Sequence, residues 1–256
     1  MSRELAGARV VVTRASRQAG GLVELLEARG ARVVTLALLE VLPPEDPRPL
    51  ERAATELALF DWVALTSTNA VESLLEACGG ALPARLEVAA VGGATARALR
   101  GWGVEPTLIA EESRAEGLAE LLAARVARRR RVLLPQAADA STLLAERLEA
   151  AGAEVVRVTA YRKRIPAQAV ERSRSLFAER PWGWVTFTSP STVENLVEAL
   201  GALWPGGRAS LLAASIGPVT SAALRSVGVE PAVEAASPSD ASLVDAIAEG
   251  QNRRNS

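Results

Sequence analysis

Several short stretches of this chain place small, hydroxylated or glycine residues directly after an apolar run. They are "TRASRQ" (13–18), "TSTNAV" (66–71), "GGAT" (92–95), "PQAADAS" (135–141), "TSPSTV" (188–193) and "GPVT" (217–220). Several directly precede a helical pattern. Free backbone N–H groups at a helix N-terminus, helped by the helix dipole and by Ser or Thr, bind anions without a formal charge. Taken singly, Ser67, Thr68, Ser189 and Thr220 also read as helix caps, needed whether or not anything binds. Taken together, such ends recur in duplicate, which suits a ligand carrying several carboxylates or phosphates. A different feature is "VVRVTAYRKRIP" (155–166), which begins like a buried strand, ends like a solvent-facing one and holds Tyr161, the only tyrosine in the chain.

Composition removes other chemistries. There is no histidine, which takes away the commonest general base and the commonest zinc ligand. The single cysteine, Cys78, cannot form an internal disulfide or a thiolate metal cluster. A net charge of -1 gives no global attraction to nucleic acid. No G-x-S-x-G elbow is present, and no carboxylate pair stands out for acid–base work. "GGATARALRGWG" lacks a spaced dinucleotide fingerprint. The run "ARRRR" (127–131) reads as a solvated approach to a strand, Trp62 and Trp184 as core, and the terminal "EGQNRRNS" as a frayed tail. No segment approaches the roughly 20 apolar residues of a membrane span, and "MSRELAGARVVVTR" carries no export signal. A cytoplasmic, cofactor-poor protein is the expectation.

The elements that must position these ends come from a tandem duplication. "ARVVVTRASRQAGGLVELLEARGARVV" (8–34) aligns without gaps on "RRVLLPQAADASTLLAERLEAAGAEVV" (130–156), an offset of 122. At that offset "DWVALTSTNAVESLLEA" (61–77) falls on "GWVTFTSPSTVENLVEA" (183–199), with Trp62 on Trp184 and Ser67 on Ser189. At offset 125, Gly92 meets Gly217 and Thr95 meets Thr220. Each copy alternates short Val/Ala/Leu runs with amphipathic helical patterns, which implies parallel sheets covered on both faces. Two sheets of about five strands each fit the length. Gly30, Gly103, Gly152 and Gly228 stand where helix C-terminal caps are needed.

The second run of each copy is overlong: 32–42 and 154–165, against a usual strand of about 5–6 residues. At about 3.3 Å per residue, eleven extended residues reach about 36 Å, more than a small sheet needs. Both end at proline. A matched pair of overlong strands predicts two crossings between domains, with the middle of the chain inserted as one of them. Two consecutive domains split near residue 128 are the alternative. Leu39 stands where Tyr161 falls in the second copy.

The stretches "VVVTR", "DWVALTSTNAV", "VAAVGGATARAL", "VTAYR", "WVTFTSPSTV" and "SIGPVTSAAL", in that order, resemble the uroporphyrinogen-III synthase family over nearly the whole chain. The resemblance implies an α/β fold of two domains, each a parallel, flavodoxin-like sheet flanked by helices, joined by a two-stranded connector. It assigns 1–37 with 167–256 to one domain, 46–158 to the other, and 38–45 with 159–166 to the connector. It implies closure of hydroxymethylbilane, a linear tetrapyrrole with eight carboxylates, to uroporphyrinogen III with inversion of the last ring and without a cofactor. Tyr161 then assists loss of the hydroxymethyl hydroxyl, or else packs between connector strands. Carboxylate contacts fall to Thr66, Ser67, Thr95, Thr188, Ser189, Ser191, Gly217 and Thr220, with Arg14 a weaker candidate. The chain departs from the family at "LLPQAADAST" and at "GPVT", where only the second threonine of the family's "GPTT" remains. The partners implied are the small polycarboxylate substrate and, transiently, the preceding enzyme of tetrapyrrole synthesis, with no nucleic acid or membrane and a monomeric state. A two-domain small-molecule sensor and an inactive relative are the other readings.

Overall fold

The computed structural model describes residues 4–14, 16–110, 115–126, 129–178, 183–208 and 211–255, with the side chains of 16–18 outside the description. The chain divides into two compact units, Met1–Glu40 with Arg164–Ser256, and Val41–Lys163.

In the first unit, β1 (Arg9–Val12), β2 (Arg32–Thr35), β9 (Trp184–Phe187), β10 (Leu212–Ser215) and β11 (Val233–Glu234) form a five-stranded sheet in the order β11-β10-β9-β1-β2. Every neighbouring pair is parallel. Renumbered within the unit this is the 2-1-3-4-5 order of the flavodoxin-like fold. Alternate strand residues face opposite ways, so Val10 and Val12 meet α1 (Ser16–Ala28) and α11 (Asp240–Asn255) through Leu22, Leu26, Leu243 and Ile247. Val11, Val185 and Phe187 meet α7 (Ala167–Ala178), α8 (Pro190–Leu200) and α10 (Pro218–Ser226) through Leu176, Val193 and Leu224.

In the second unit, β4 (Trp62–Leu65), β5 (Glu87–Ala90), β6 (Leu108–Ile109), β7 (Arg131–Ala137) and β8 (Glu154–Arg164) are joined at the β8 edge by β3 (Glu40–Leu42). The order is β3-β8-β7-β4-β5-β6, six strands rather than about five because β3 is added. The pairs β4/β5, β4/β7, β5/β6 and β7/β8 are parallel. One face packs on α2 (Arg48–Thr55), α3 (Thr68–Ala77) and α4 (Gly93–Gly101), the other on α5 (Ala115–Ala123) and α6 (Leu143–Ala150).

The two orders are the same order once the duplication is followed. By the sequence alignment, β1, β2, β4, β5 and β6 of the first copy correspond to β7, β8, β9, β10 and β11 of the second. Each sheet combines the first two strands of one copy with the last three of the other.

Three sequence expectations are corrected. The run 32–42 is not one strand: it breaks between β2 and β3, whereas 154–164 is continuous. β2 and β3 belong to different sheets, so the ladder must break where the chain changes partners. Leu36 and Leu38 still donate to Val12 and Thr13 carbonyls, at 2.8 and 3.3 Å, which carries the chain past the sheet edge. The "EGQNRRNS" end continues α11 through Asn255 instead of fraying. Trp184 Nε1 donates to Gln251 at 2.8 Å, and a Cβ at Gly250 would lie 2.7 Å from the indole, so glycine lets the helix pack there. Of the arginine run, residues 127 and 128 lie outside the described residues; Arg130 pairs with Asp61 at 2.6 Å and Arg131 with Glu154 at 2.9 Å, so neither is merely solvated. The tryptophans are core, Trp62 4% and Trp184 2% exposed. The four cap glycines all have left-handed φ, between 77° and 94°. No described helix is long and apolar enough to cross a membrane.

Asp61 and its counterpart Gly183 show how the copies diverged at the start of the central strand. Asp61 accepts the Arg131 N–H at 2.8 Å and the Arg130 guanidinium at 2.6 Å, tying β4 to β7. Partial burial opposes its ionisation, but these two donors outweigh it and hold the carboxyl below the usual range. A carboxyl whose folded pKa is lowered contributes stability above its unfolded pKa and loses it as pH falls through the folded one. Asp61→Asn therefore lowers Tm near neutrality, and the gap to the parent closes as melting is followed from about pH 7 to about pH 3. Gly183 has φ +75°, and a Cβ there would lie 2.3 Å from the Arg9 carbonyl oxygen. Gly183→Ala is expected to cost about 2 kcal/mol or more in denaturant unfolding, from backbone strain plus the clash.

Candidate active site

A flavodoxin-like sheet binds ligands beyond the carboxyl ends of its strands, at the point where the strand order reverses. In the first unit that point lies between β1 and β9, and in the second between β7 and β4. The sequence candidates cluster at these ends, and each unit uses them differently.

In the second unit, β4 runs through Thr66 into Ser67, whose extended backbone caps α3. Ser67 Oγ accepts the Ala70 N–H at 3.1 Å and lies 3.0 Å from the Tyr161 hydroxyl. Tyr161 reaches this place through a break in register. Gln136 pairs with Thr159 but Ala137 pairs with Tyr161, so β8 carries one extra residue, Ala160. Before the bulge, Val156 and Val158 pack on the α3 side of the sheet and Val155 on the other. Strict alternation would send Tyr161 to the side of Val155. The extra residue turns it instead onto the α3 side beside Ala160, where it is 5% exposed. The Ala138 N–H bonds the Tyr161 carbonyl at 2.9 Å and secures the turn. On the next strand, β5 leads through extended Gly92 into α4, with Thr95 in the first turn.

In the first unit, Arg14 follows β1. Its Nη1 donates to both oxygens of Asp240, at 2.9 and 3.0 Å, and its Nε to Thr188 Oγ1 at 3.3 Å. The guanidinium thus joins the ends of β1 and β9 to the start of α11, and is not simply solvated. In the second copy its place is taken by Gln136, which with its amide oxygen toward Arg157 accepts from Nε and Nη2 at 2.9 and 2.8 Å. Ser189 occupies the N-cap position of α8 without capping it; its Oγ lies 2.9 Å from Ser191 Oγ. Beyond β10, Ser215 and Gly217 exchange two hydrogen bonds, and Thr220 sits in the first turn of α10. Val219, in the departure from the family's threonine, is 67% exposed.

Of the four hydroxyls that read as caps, only Ser67 caps a helix N–H. Thr68 is the first helical residue of α3, Ser189 turns to Ser191, and Thr220 is the third residue of α10. Thr95 and Thr220 are each 3% exposed, and neither hydroxyl has a hydrogen-bond partner among the described residues. Buried hydroxyls without partners are rare because each loses its hydration uncompensated. The two threonines stand at equivalent places of the two copies, each in the first turn of the helix that follows its strand. Residue 15, in the stretch after β1, lies outside the described residues. Asp240 and the bulge at Ala160 went unrecognised in the sequence. The aspartate's only signal was its place at the start of a helix, and the bulge left none.

The structure therefore defines a duplicated α/β protein of two flavodoxin-like sheets with hydroxyl-lined, histidine-free strand ends. The sequence model for uroporphyrinogen-III synthase HemD matches residues 21–245. The uroporphyrinogen-III synthase of Synechococcus elongatus is 32% identical over 225 residues, 85% of each chain. That of Chlorobaculum parvum is 27% identical over 86% of this chain and 90% of its own. In fold the chain resembles a mutant uroporphyrinogen III synthase of Thermus thermophilus (TM-score 0.72, 21% identity, 96% of this chain and 100% of that one). It also resembles the Helicobacter pylori enzyme (TM-score 0.60, 20% identity, 93% and 97%). The chain belongs to the uroporphyrinogen-III synthase family.

The partnerless hydroxyls yield a stability prediction. Thr95→Val and Thr220→Val remove a buried hydroxyl with no partner among the described residues, so unfolding free energy is expected to stay level or rise by up to about 1 kcal/mol. Thr13 donates to the Thr186 carbonyl at 2.6 Å, so Thr13→Val costs about 1–2 kcal/mol. Urea denaturation of the three variants measures the contrast.

Proposed function

We propose that this chain closes hydroxymethylbilane to uroporphyrinogen III, with inversion of the last ring. The observation that carries the family's reaction onto this chain's own residues is the Tyr161 hydroxyl, turned by the bulge to within 3.0 Å of Ser67. Tyr161 gives its proton to the hydroxymethyl oxygen. The C–O bond breaks with its electron pair, water leaves, and the pyrrole nitrogen's lone pair fills the methylene carbon. Loss of that nitrogen's proton to the phenolate gives a neutral azafulvene and restores Tyr161. The substituted carbon of ring D then attacks, and the spiro intermediate opens and recloses.

The substrate closes by itself to the uninverted isomer, so conformational control matters as much as rate. Thr95, Thr220 and the backbone at Gly217 serve carboxylates, joined by Thr66, Thr188, Ser189 and Ser191 at the neighbouring ends. These are donors at helix starts, which suit carboxylates without a cationic surface. Arg14 contributes through Asp240 and Thr188, as a fixed charge holding the first unit's strand ends. Residues 38–45 and 159–166 act as the connector between domains. The protein works in the cytoplasm as a monomer, receiving its labile substrate from the preceding enzyme, and needs no cofactor.

The test is a coupled assay with freshly generated hydroxymethylbilane, scoring isomer III against isomer I. The parent is expected to give isomer III; isomer I alone from folded protein overturns the reading. Tyr161→Phe should lower kcat by about 100-fold or more and let isomer I accumulate. An unchanged rate and isomer ratio removes Tyr161 from the chemistry.

A further inference from the structure

We infer that Ser67 is a positioning residue for Tyr161, presenting the phenol through a hydroxyl pair in which one proton is left over for donation. The inference rests on the role proposed for Tyr161 above.

The proton count is fixed by the partners. A serine oxygen offers one proton and two lone pairs, and the phenol offers one proton. One Ser67 lone pair takes the Ala70 N–H at 3.1 Å, and a single proton lies in the 3.0 Å contact with Tyr161. Whichever oxygen supplies that proton, the other hydroxyl keeps its own. When Ser67 donates, the Tyr161 proton is the free one. That arrangement is favoured as the phenol ionises, because a phenolate can only accept. The N-terminal end of α3, reaching Ser67 through Ala70, further favours negative charge there. In the dehydration step Tyr161 passes its proton to the departing oxygen, the C–O electron pair leaves with the water, and Ser67 keeps a hydrogen bond on the phenolate. The substrate pyrrole nitrogen then returns a proton to it.

The duplication supplies an internal control. Ser189 has nearly the same backbone as Ser67, φ -164° and ψ 160° against -158° and 157°. Yet Ser189 Oγ bonds Ser191 Oγ and caps nothing. The residue equivalent to Tyr161 is Leu39, and the residue equivalent to Ser191 is Asn69. A serine at this strand end does not by itself point where Ser67 points. Its orientation goes with the phenol, which is itself there because of the extra residue Ala160.

Since Tyr161 is the only tyrosine, the tyrosine doublet in the Raman spectrum reports its hydrogen bonding alone. Ser67→Ala and Ser67→Thr are compared with the parent, with folding followed by tryptophan fluorescence. Ser67→Ala should change the doublet and lower kcat by about 10-fold at little change in KM, with more isomer I. Ser67→Thr, which keeps the hydroxyl, should restore both. A parental doublet in Ser67→Ala overturns the inference, as does a changed doublet with parental kcat. A raised KM with unchanged kcat also overturns it, showing Ser67 to be a substrate contact instead. Loss of the Tyr161 assignment is seen separately, as parental turnover in Tyr161→Phe.

Discussion

A parallel strand buried on both faces needs helices above and below it, and neither copy of this duplicated chain completes its own sheet. The first two strands of each copy lie beside the last three of the other, so each sheet requires both copies to fold. The central strands show the result: Val63, Ala64 and Leu65 of β4, and Val185 and Phe187 of β9, are fully buried. Everything else follows from this exchange. It places the connection from β1 to β2 and that from β7 to β8 on one side of each reversal of strand order, and the last three strands on the other. The loops that flank each reversal therefore come from different copies, and each can vary without its partner. Arg14 with Thr188 occupies one such place, while Gln136 and Ser67 flank the other.

That independence explains how a near-symmetric fold carries an asymmetric site. β2 and β8 match residue for residue through their valines, but β2 must leave its sheet whereas β8 stays in one sheet for eleven residues. Only the strand that stays paired can hold a bulge, since a bulge is defined by the partner it slips against. β8 has β7 beside it up to Tyr161; the equivalent stretch 36–39 is in no strand. Leu39 is half-buried there, and a phenol at that position would have no ladder to aim it. The difference between Leu39 and Tyr161 is thus one of backbone before it is one of side chain.

Local pattern was legible in the sequence, and what depends on the neighbouring strand was not. The duplication, the alternation of strand and helix, the capping glycines and the strand ends that gather Ser, Thr and Gly all follow from local pattern, and all are present. The break after Thr35 was not legible, because residues 32–42 read as extended throughout and only the identity of the neighbouring strand decides where pairing stops. The bulge was hidden for a related reason: "VTAYR" has no glycine or proline at Ala160, and the slip exists only in the register with Gln136 and Ala137. The cap assignments failed at three of four hydroxyls because a helix start with a small residue before it looks alike whether the side chain caps, turns away or points inward. For Thr220, 3% exposed, burial decided it, and burial is a property of the packed unit.

Buried hydroxyls with no partner among the described residues are a cost that a fold selected for stability alone would shed. A valine at Thr95 or Thr220 fills the same space without leaving a polar group short of partners, whereas the Tyr161 hydroxyl has its contact with Ser67 at 3.0 Å. The apolar cluster on one face of sheet two runs from Val63 and Leu65 through Val71 to Leu99 and takes in Tyr161. Thr95 and Thr220 stand at matching strand ends in the two copies, so the cost belongs to the shared plan of the fold rather than to a defect of either copy. Under the proposed function carboxylates are the natural relief, since they accept from hydroxyls and helix-start N–H groups alike. On that proposal the hard part is holding one conformation of a flexible ligand, a task that fixed dipoles at rigid strand ends suit at any pH at which the carboxylates are charged.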